Sequence, residues 1–168
     1  MVERDVVVRA GLGRNREIVR SFGGDLPADA PMTESDARAQ LERRFGPGPH
    51  WVIADPSDQF IGITRLAPID RRGKSARFAI GILDPDRLGQ GLGTETTNLV
   101  VRYGFEHLAL DKIELTVLAE NTRAIGAYAK NGFVETGRTR NALRRDGRWY
   151  DDLHMAIDAS AKTAQDRG

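Results

Sequence analysis

The run Gly89-Gln90-Gly91-Leu92-Gly93-Thr94 sits where a strand-like stretch gives way to a helix-like one. Upstream, residues 76–83 are mostly apolar or small, and Asp84-Pro85-Asp86 breaks the chain. Downstream, residues 92–108 read as a helix whose Leu92, Leu99, Val100, Tyr103 and Leu108 approximate one apolar stripe. Glycines let the backbone turn tightly, and several N–H groups converge at the positive end of the helix dipole. That arrangement suits a phosphate or a diphosphate. Any fold of this chain has to place a strand, an anion-holding bend and a helix in that order.

The spacing of the glycines narrows the ligand. A dinucleotide fingerprint, G-x-G-x-x-G, fails because Thr94 stands where the third glycine belongs. A Walker loop needs a Gly-Lys-Ser/Thr ending, and none is present. The rhythm that remains is that of an acyl-coenzyme A loop, G-x-G-x-G or G-x-G-x-A. On the glycines alone, a purely structural turn stays open beside it.

Composition acts here mainly by exclusion. With 168 residues and 40% apolar side chains, the chain suits one domain with one core, expected over residues 1–158. There is no cysteine, so thiolate zinc sites, thiol nucleophiles and disulfides are ruled out together. No metal site is expected. A net charge of +1, from 25 basic and 24 acidic residues, gives no general surface for nucleic acid or anionic membrane. No stretch approaches the ~18 apolar residues of a membrane span, and residues 1–5 lack the apolar segment of a signal peptide. A cytoplasmic protein is expected.

Along the chain, Val6-Val7-Val8 reads as a first strand and residues 15–22 as a short helix ended by Gly23-Gly24. Thr33 resembles an N-cap, with Ala37, Leu41 and Phe45 recurring on one helical face and Gly46-Pro47-Gly48-Pro49 as the stop. Strands are expected at 51–54, 60–66, 77–83, 113–118, 133–139 and 149–157. Residues 69–75 read as a charged loop, 121–131 as a second long helix with Gly132 at its C-cap, and 159–168 as a frayed tail. The order is that of a mixed α/β domain.

The resemblance to a known family begins at the glycine turn. The diphosphate motif of the GNAT superfamily of N-acetyltransferases is [Q/R]-x-x-G-x-[G/A]; Leu88-Gly89-Gln90-Gly91-Leu92-Gly93 matches its glycines, with Leu88 at the opening position and Arg87 one residue early. Asn121, Ala124, Ile125, Tyr128, Lys130, Gly132 and Phe133 then match the family pattern N-x-x-A-I-x-x-Y-x-K-x-G-F at every specified position. Residues 113–121 and the ending Asp146-Gly147-Arg148-Trp149-Tyr150 resemble the branch that acetylates ribosomal-protein N-termini. The resemblance implies a GNAT fold: a central, mostly antiparallel sheet with a splayed parallel strand pair, flanked by helices. Acetyl-CoA is the implied cosubstrate, its pantetheine arm lying between strands 77–83 and 113–118 and its diphosphate on Gln90 to Thr94. A monomer and a homodimer are both compatible with exposed sheet edges.

Acetyl transfer from a thioester needs a neutral amine, donors for the tetrahedral oxyanion and a proton for the departing thiolate. Tyr128 stands where the family keeps its acid; on the residues alone a core aromatic is the alternative. Asn121 is either a pantetheine or water contact or a plain helix N-cap. Backbone N–H groups at Ile82 and Leu83 are the expected oxyanion donors. For a base the candidates are Glu114, with Glu120, Glu95 and His154 behind it, each also readable as a solvated or hydrogen-bonded structural residue. Cofactor contacts are thus expected at Ile82, Leu83, Leu88 to Thr94, Asn121 and Tyr128. The absence of a dedicated base favours an α-amine acceptor, since a chain terminus near pKa ~8 is partly neutral where lysine near ~10.4 is not. A protein or peptide N-terminus leads, a small-molecule amine such as an aminoglycoside or polyamine follows, and a non-catalytic acyl-CoA sensor is the reading from outside enzymology.

Overall fold

The computed structural model describes residues 2–26, 29–44 and 47–161. Three N-terminal helices, α1 (Glu3–Gly11), α2 (Arg16–Ser21) and α3 (Glu34–Arg44), precede the strands β1 (His50–Ala54), β2 (Phe60–Asp70) and β3 (Ser75–Ile82). A single 3₁₀ turn (Pro85–Arg87) leads to α4 (Leu92–Leu108), β4 (Lys112–Leu118), α5 (Thr122–Lys130), β5 (Val134–Arg145) and β6 (Arg148–Asp158). The sheet order is β1-β2-β3-β4-β6-β5. Every neighbouring pair is antiparallel except β3 and β4. This is the mixed α/β, mostly antiparallel architecture with one parallel pair expected from the resemblance.

Helices cover both sheet faces, because alternate residues of a strand face opposite ways. On β2, Ile63 joins Val6, Ile18, Ala37 and Leu41 under the N-terminal helices. Leu66 joins Val100, Val101, Ile113 and Ile157 under α4. The α4 face differs in detail from the expected stripe. Thr97, Val100, Val101 and Gly104 are its buried residues, whereas Leu99 is 60% exposed.

The N-terminal strand is a correction: Val6-Val7-Val8 lies in the middle of α1. A β-branched triplet favours a strand only as an isolated preference, and packing of one face decides. Val6 is buried against α3, Val7 is exposed, and the Asp5 carboxylate accepts the Val2 N–H at 2.8 Å, capping the first turn. Thr33 caps α3 as expected: its hydroxyl accepts from Asp36 N–H at 3.1 Å while the Asp36 carboxylate accepts from Thr33 N–H at 3.3 Å. Phe45 and Gly46, the expected end of that helix, and residues 162–168 of the expected tail lie outside the described residues. Residues 159–161 form a helical turn. The expected loop at 69–75 is shorter than read: β2 and β3 pair out to Asp70 and Ser75, leaving residues 71–74 as the turn. The final hairpin turns on Asp146 (φ 50°) and Gly147 (φ 74°), the left-handed pair that matches the twist of its flanking strands.

Candidate functional site

β3 and β4 are paired only from Ser75–Arg77 to Lys112–Glu114, and past that point the two strands part. The hydrogen-bond alternation of an antiparallel pair decides what β3 offers to the gap. Leu83 N–H donates to the Ile61 carbonyl of β2 at 2.8 Å, so Leu83 belongs to a bonded pair. Ile82, opposite Gly62, and Ile80, opposite Thr64, are in the non-bonded register and turn their main-chain groups toward the gap. Ile82 is therefore an available donor and Leu83 is not. Leu83 packs instead under the N-terminal helices.

Gly89 (φ 77°) and Gly91 (φ 82°) hold the turn in left-handed geometry, and Gly91 caps α4. A Cβ added at Gly89, Gly91 or Gly93 would meet nothing within 4 Å, so this surface is open. The N–H groups of Gln90, Gly91, Leu92 and Gly93 have no acceptor among the described residues. Thr94 N–H is spent on the Gly91 carbonyl at 2.9 Å, as is Glu95 N–H at 3.0 Å. Gln90 turns its side chain away to the Asp86 carbonyl at 2.7 Å, bracing the 3₁₀ turn. Arg87 is held by Asp55 at 2.8 Å and by Asp84 at 3.9 Å.

Two clefts adjoin, and the first of them begins on this turn. One, of about 360 Å³, runs from Leu88, Gly89, Gly91 and Gly93 past Ile80 and Ile82 to the start of α5. The other, of about 390 Å³, lies among Phe78, Thr116, Leu118, Leu143, Asp152 and Arg44. Ser21, Phe22, Ile80, Asn121 and Tyr128 line both and mark the passage between them.

Tyr128 is 8% exposed, edge-on to Phe78 with ring centroids 6.1 Å apart and tilted against Phe133 at 5.9 Å. It is thus a core aromatic whose polar end meets the cleft. Its hydroxyl has no hydrogen-bond partner among the described residues, and burial pushes its pKa up to about 12. Asn121 is occupied at both ends of its amide. Oδ1 accepts from Ala124 N–H at 3.2 Å as the N-cap of α5, and Nδ2 donates to the Ser21 carbonyl at 3.3 Å.

The carboxylate candidates scatter. Glu114 sits in the still-paired part of β4, bound to Lys112 at 2.7 Å, and lines neither cleft. Glu120 takes the guanidinium of Arg145 at 3.4 Å, and Glu95 lies on the other side of α4 against β1. His154 bridges the hydroxyls of Thr116 (3.2 Å) and Thr139 (2.8 Å). Among the described residues, Asp152 is the carboxylate that lines the second cleft. Nothing in the sequence pointed to it, nor to Ser21, Phe22 and Arg44, because only tertiary packing brings α2 and α3 to the cleft. No group of His, Cys, Asp and Glu among the described residues is arranged to hold a metal ion. Nor is any described helix long and apolar enough to cross a membrane.

Residues 3–134 match the family described as the acetyltransferase (GNAT) domain. The chain belongs to the GNAT acetyltransferase family. Over 116 residues it is 35% identical to a spermidine N(1)-acetyltransferase of Vibrio cholerae, covering 69% of this chain and 63% of that protein. Over 118 residues it is 32% identical to the spermidine N(1)-acetyltransferase of Escherichia coli K12, covering 70% and 59%. The matched segment therefore spans about three-fifths of these relatives. A crystal structure of the Vibrio cholerae spermidine N-acetyltransferase in complex with CoA and spermine superposes with a TM-score of 0.78 at 27% identity, covering 97% of this chain and 95% of that one. These relatives are spermidine acetyltransferases, so the resemblance to the ribosomal-protein branch holds only at the level of the family.

Proposed function

We propose that this protein is an acetyl-CoA-dependent N-acetyltransferase that moves an acetyl group directly to a primary amine. The observation that carries the reading is the position of Tyr128. It stands where a cleft that begins on unpaired main-chain amides adjoins a second cleft. In this reading the diphosphate lies on the amides of residues 90–93, with Lys130 on the same wall; Arg123, also there, is paired with Glu17 at 2.8 Å. The pantetheine arm follows β3, and Ile82 N–H polarises the thioester carbonyl. The amine enters from the side of Asp152, attacks the carbonyl carbon, and the tetrahedral adduct expels the thiolate.

The raised pKa of Tyr128 shapes the proton inventory. Full transfer from a phenol near 12 to a thiolate near ~8.5 is uphill by roughly 5 kcal/mol. Tyr128 therefore donates a hydrogen bond to the departing sulfur and passes its proton on only as the ammonium formed by attack gives one up. Glu114 takes no part. Asp152 or water receives the proton shed by an incoming alkylammonium. With no cysteine in the chain, no acetyl-thiol enzyme forms, and transfer occurs within a ternary complex.

For the acceptor, the spermidine acetyltransferases among the relatives support a polyamine. A second reading, a peptide α-amine, is favoured by Arg44. This cation lines the acceptor cleft against the Phe22 ring at 5.0 Å, with no carboxylate of the described residues within 4 Å, and it opposes a polycation. Thiol release from acetyl-CoA with spermidine, N-terminal peptides, lysine peptides and aminoglycosides separates these classes. Release with spermidine but not peptides supports the first reading, and the reverse supports the second. Tight cofactor binding with no release across the panel would overturn both in favour of a sensor.

A further inference from the structure

Arg145 closes β5 just before the hairpin turn, and its side chain is only 7% exposed. The guanidinium lies over the Tyr150 ring at 4.5 Å. Nη1 donates to the carbonyls of Arg20 (3.0 Å) and Gly24 (3.3 Å), and Nη2 donates to Glu120 at 3.4 Å. These acceptors belong to separate segments: the last turn of α2, the loop after it, and the residue preceding Asn121. Three further struts run beside them, one being the exposed Arg123–Glu17 pair at 2.8 Å that joins α5 to α2. Asn121 Nδ2 reaches the Ser21 carbonyl at 3.3 Å, and Arg20 pairs with Asp146 of the hairpin turn at 2.7 Å.

The arrangement is a poor device for stability. Nε of Arg145 and Nε of Arg20 are both buried without a partner among the described residues. A buried cation with an orphaned N–H loses much of what its other bonds gain. As a spacer it is far better suited, because a planar guanidinium fixes the direction and separation of everything it touches. What it separates is the cleft: α2 carries Ser21 and Phe22 on one wall, and Asn121 opens the helix that carries Tyr128 on the other.

We infer that Arg145 is a positioning residue for the acceptor, setting the distance between α2 and α5 and so the place of Phe22 and Ser21 relative to Tyr128. This rests on the proposed acetyltransferase reading. The glycine turn has no hydrogen bond to the hairpin, so the diphosphate end lies outside its reach.

The test compares Arg145→Met, Arg145→Lys and Glu120→Gln with the wild type. CoA affinity is read by calorimetry, KM and kcat for spermidine by thiol release, and amide hydrogen exchange at residues 20–24 by mass spectrometry. Arg145→Met is expected to raise KM for spermidine about tenfold with CoA affinity held within about threefold, and to speed exchange at 20–24. Arg145→Lys should fall between it and the wild type, millimolar guanidinium should restore part of the loss in Arg145→Met, and Glu120→Gln should move KM the same way by about twofold. Unchanged exchange at 20–24 would overturn the inference. So would parallel losses of CoA affinity, KM and melting temperature that guanidinium does not repair. If the wild type releases no thiol with spermidine, the polyamine reading fails on its own, and the exchange and CoA arms still decide the role of Arg145.

Discussion

At the proposed diphosphate end the cleft is made of main chain. Its donors are the amides of residues 90–93, and its shape is set by the positive φ of Gly89 and Gly91. At the proposed acceptor end it is made of side chains from α2, α3, β3, β4, α5 and the β5–β6 hairpin, Arg44 and Asp152 among them. In the proposed reading the first end meets a charge that every coenzyme A ester shares, and it needs only a backbone path. The second must discriminate among amines, and it needs particular groups held in register by packing. A generic ligand is met by backbone and a variable one by side chains drawn from distant segments.

Breaking the junction between the two ends should give the largest effect. Tyr128→Phe keeps the packing against Phe78 and Phe133 and removes only the hydroxyl, so kcat should fall by roughly 10²–10³ with CoA affinity unchanged. Stopped thiol-release assays and calorimetry check the two halves of that statement. An equal loss in binding would move Tyr128 from chemistry to cofactor support. The same hydroxyl predicts a pH signature. Its pKa is raised in the folded state to about 12 against the ordinary 10.0, so the folded protein holds the proton longer. The stability this represents is intact below pH ~10 and is lost as pH climbs from ~10 toward ~12. Phenolate absorbance should show one tyrosine of the wild type titrating late, and Tyr128→Phe should lack it.

The diphosphate end is probed by a pair of substitutions. Gly91→Ala places a side chain at φ 82°, a strain of about 1–2 kcal/mol, and CoA affinity should drop about tenfold. Gly93 has no such angle and its Cβ would enter open space, so Gly93→Ala should stay within about threefold. Equal losses at both would mean that occlusion, not backbone conformation, governs the site. Smaller again is Asn121→Ala, which deletes the α5 N-cap and should cost about 1 kcal/mol of stability in a denaturant melt. Smallest is Glu114→Gln. Its partner Lys112 is exposed and both clefts are elsewhere, so kcat/KM should hold within about twofold.

The same contrast explains what could be read from the chain. The glycine turn, α4 from Leu92 to Leu108 and the Asn121–Phe133 pattern were legible because each is a local rule: φ at a turn, a helix cap, a spacing on one helix. The donor at Ile82 against the spent one at Leu83 was not, since bonded register depends on how β2 meets β3. Val6-Val7-Val8 misled for a related reason: β-branched preference spoke locally, whereas burial of Val6 against α3 settled the helix. Arg44 and Asp152 reach the cleft from distant parts of the chain, and no spacing announces a contact across 125 positions such as Arg145 to Arg20.

The claim on which the rest depends is that unpaired amides in a left-handed glycine turn grip the diphosphate. Calorimetry of CoA beside pantetheine, which lacks the diphosphate and nucleotide, tests it most directly, with Gly91→Ala as the third titration. CoA is expected to bind at least about a hundredfold tighter than pantetheine, with much of this margin lost in Gly91→Ala. Equal affinity for the two ligands, or no affinity for CoA at all, would contradict it.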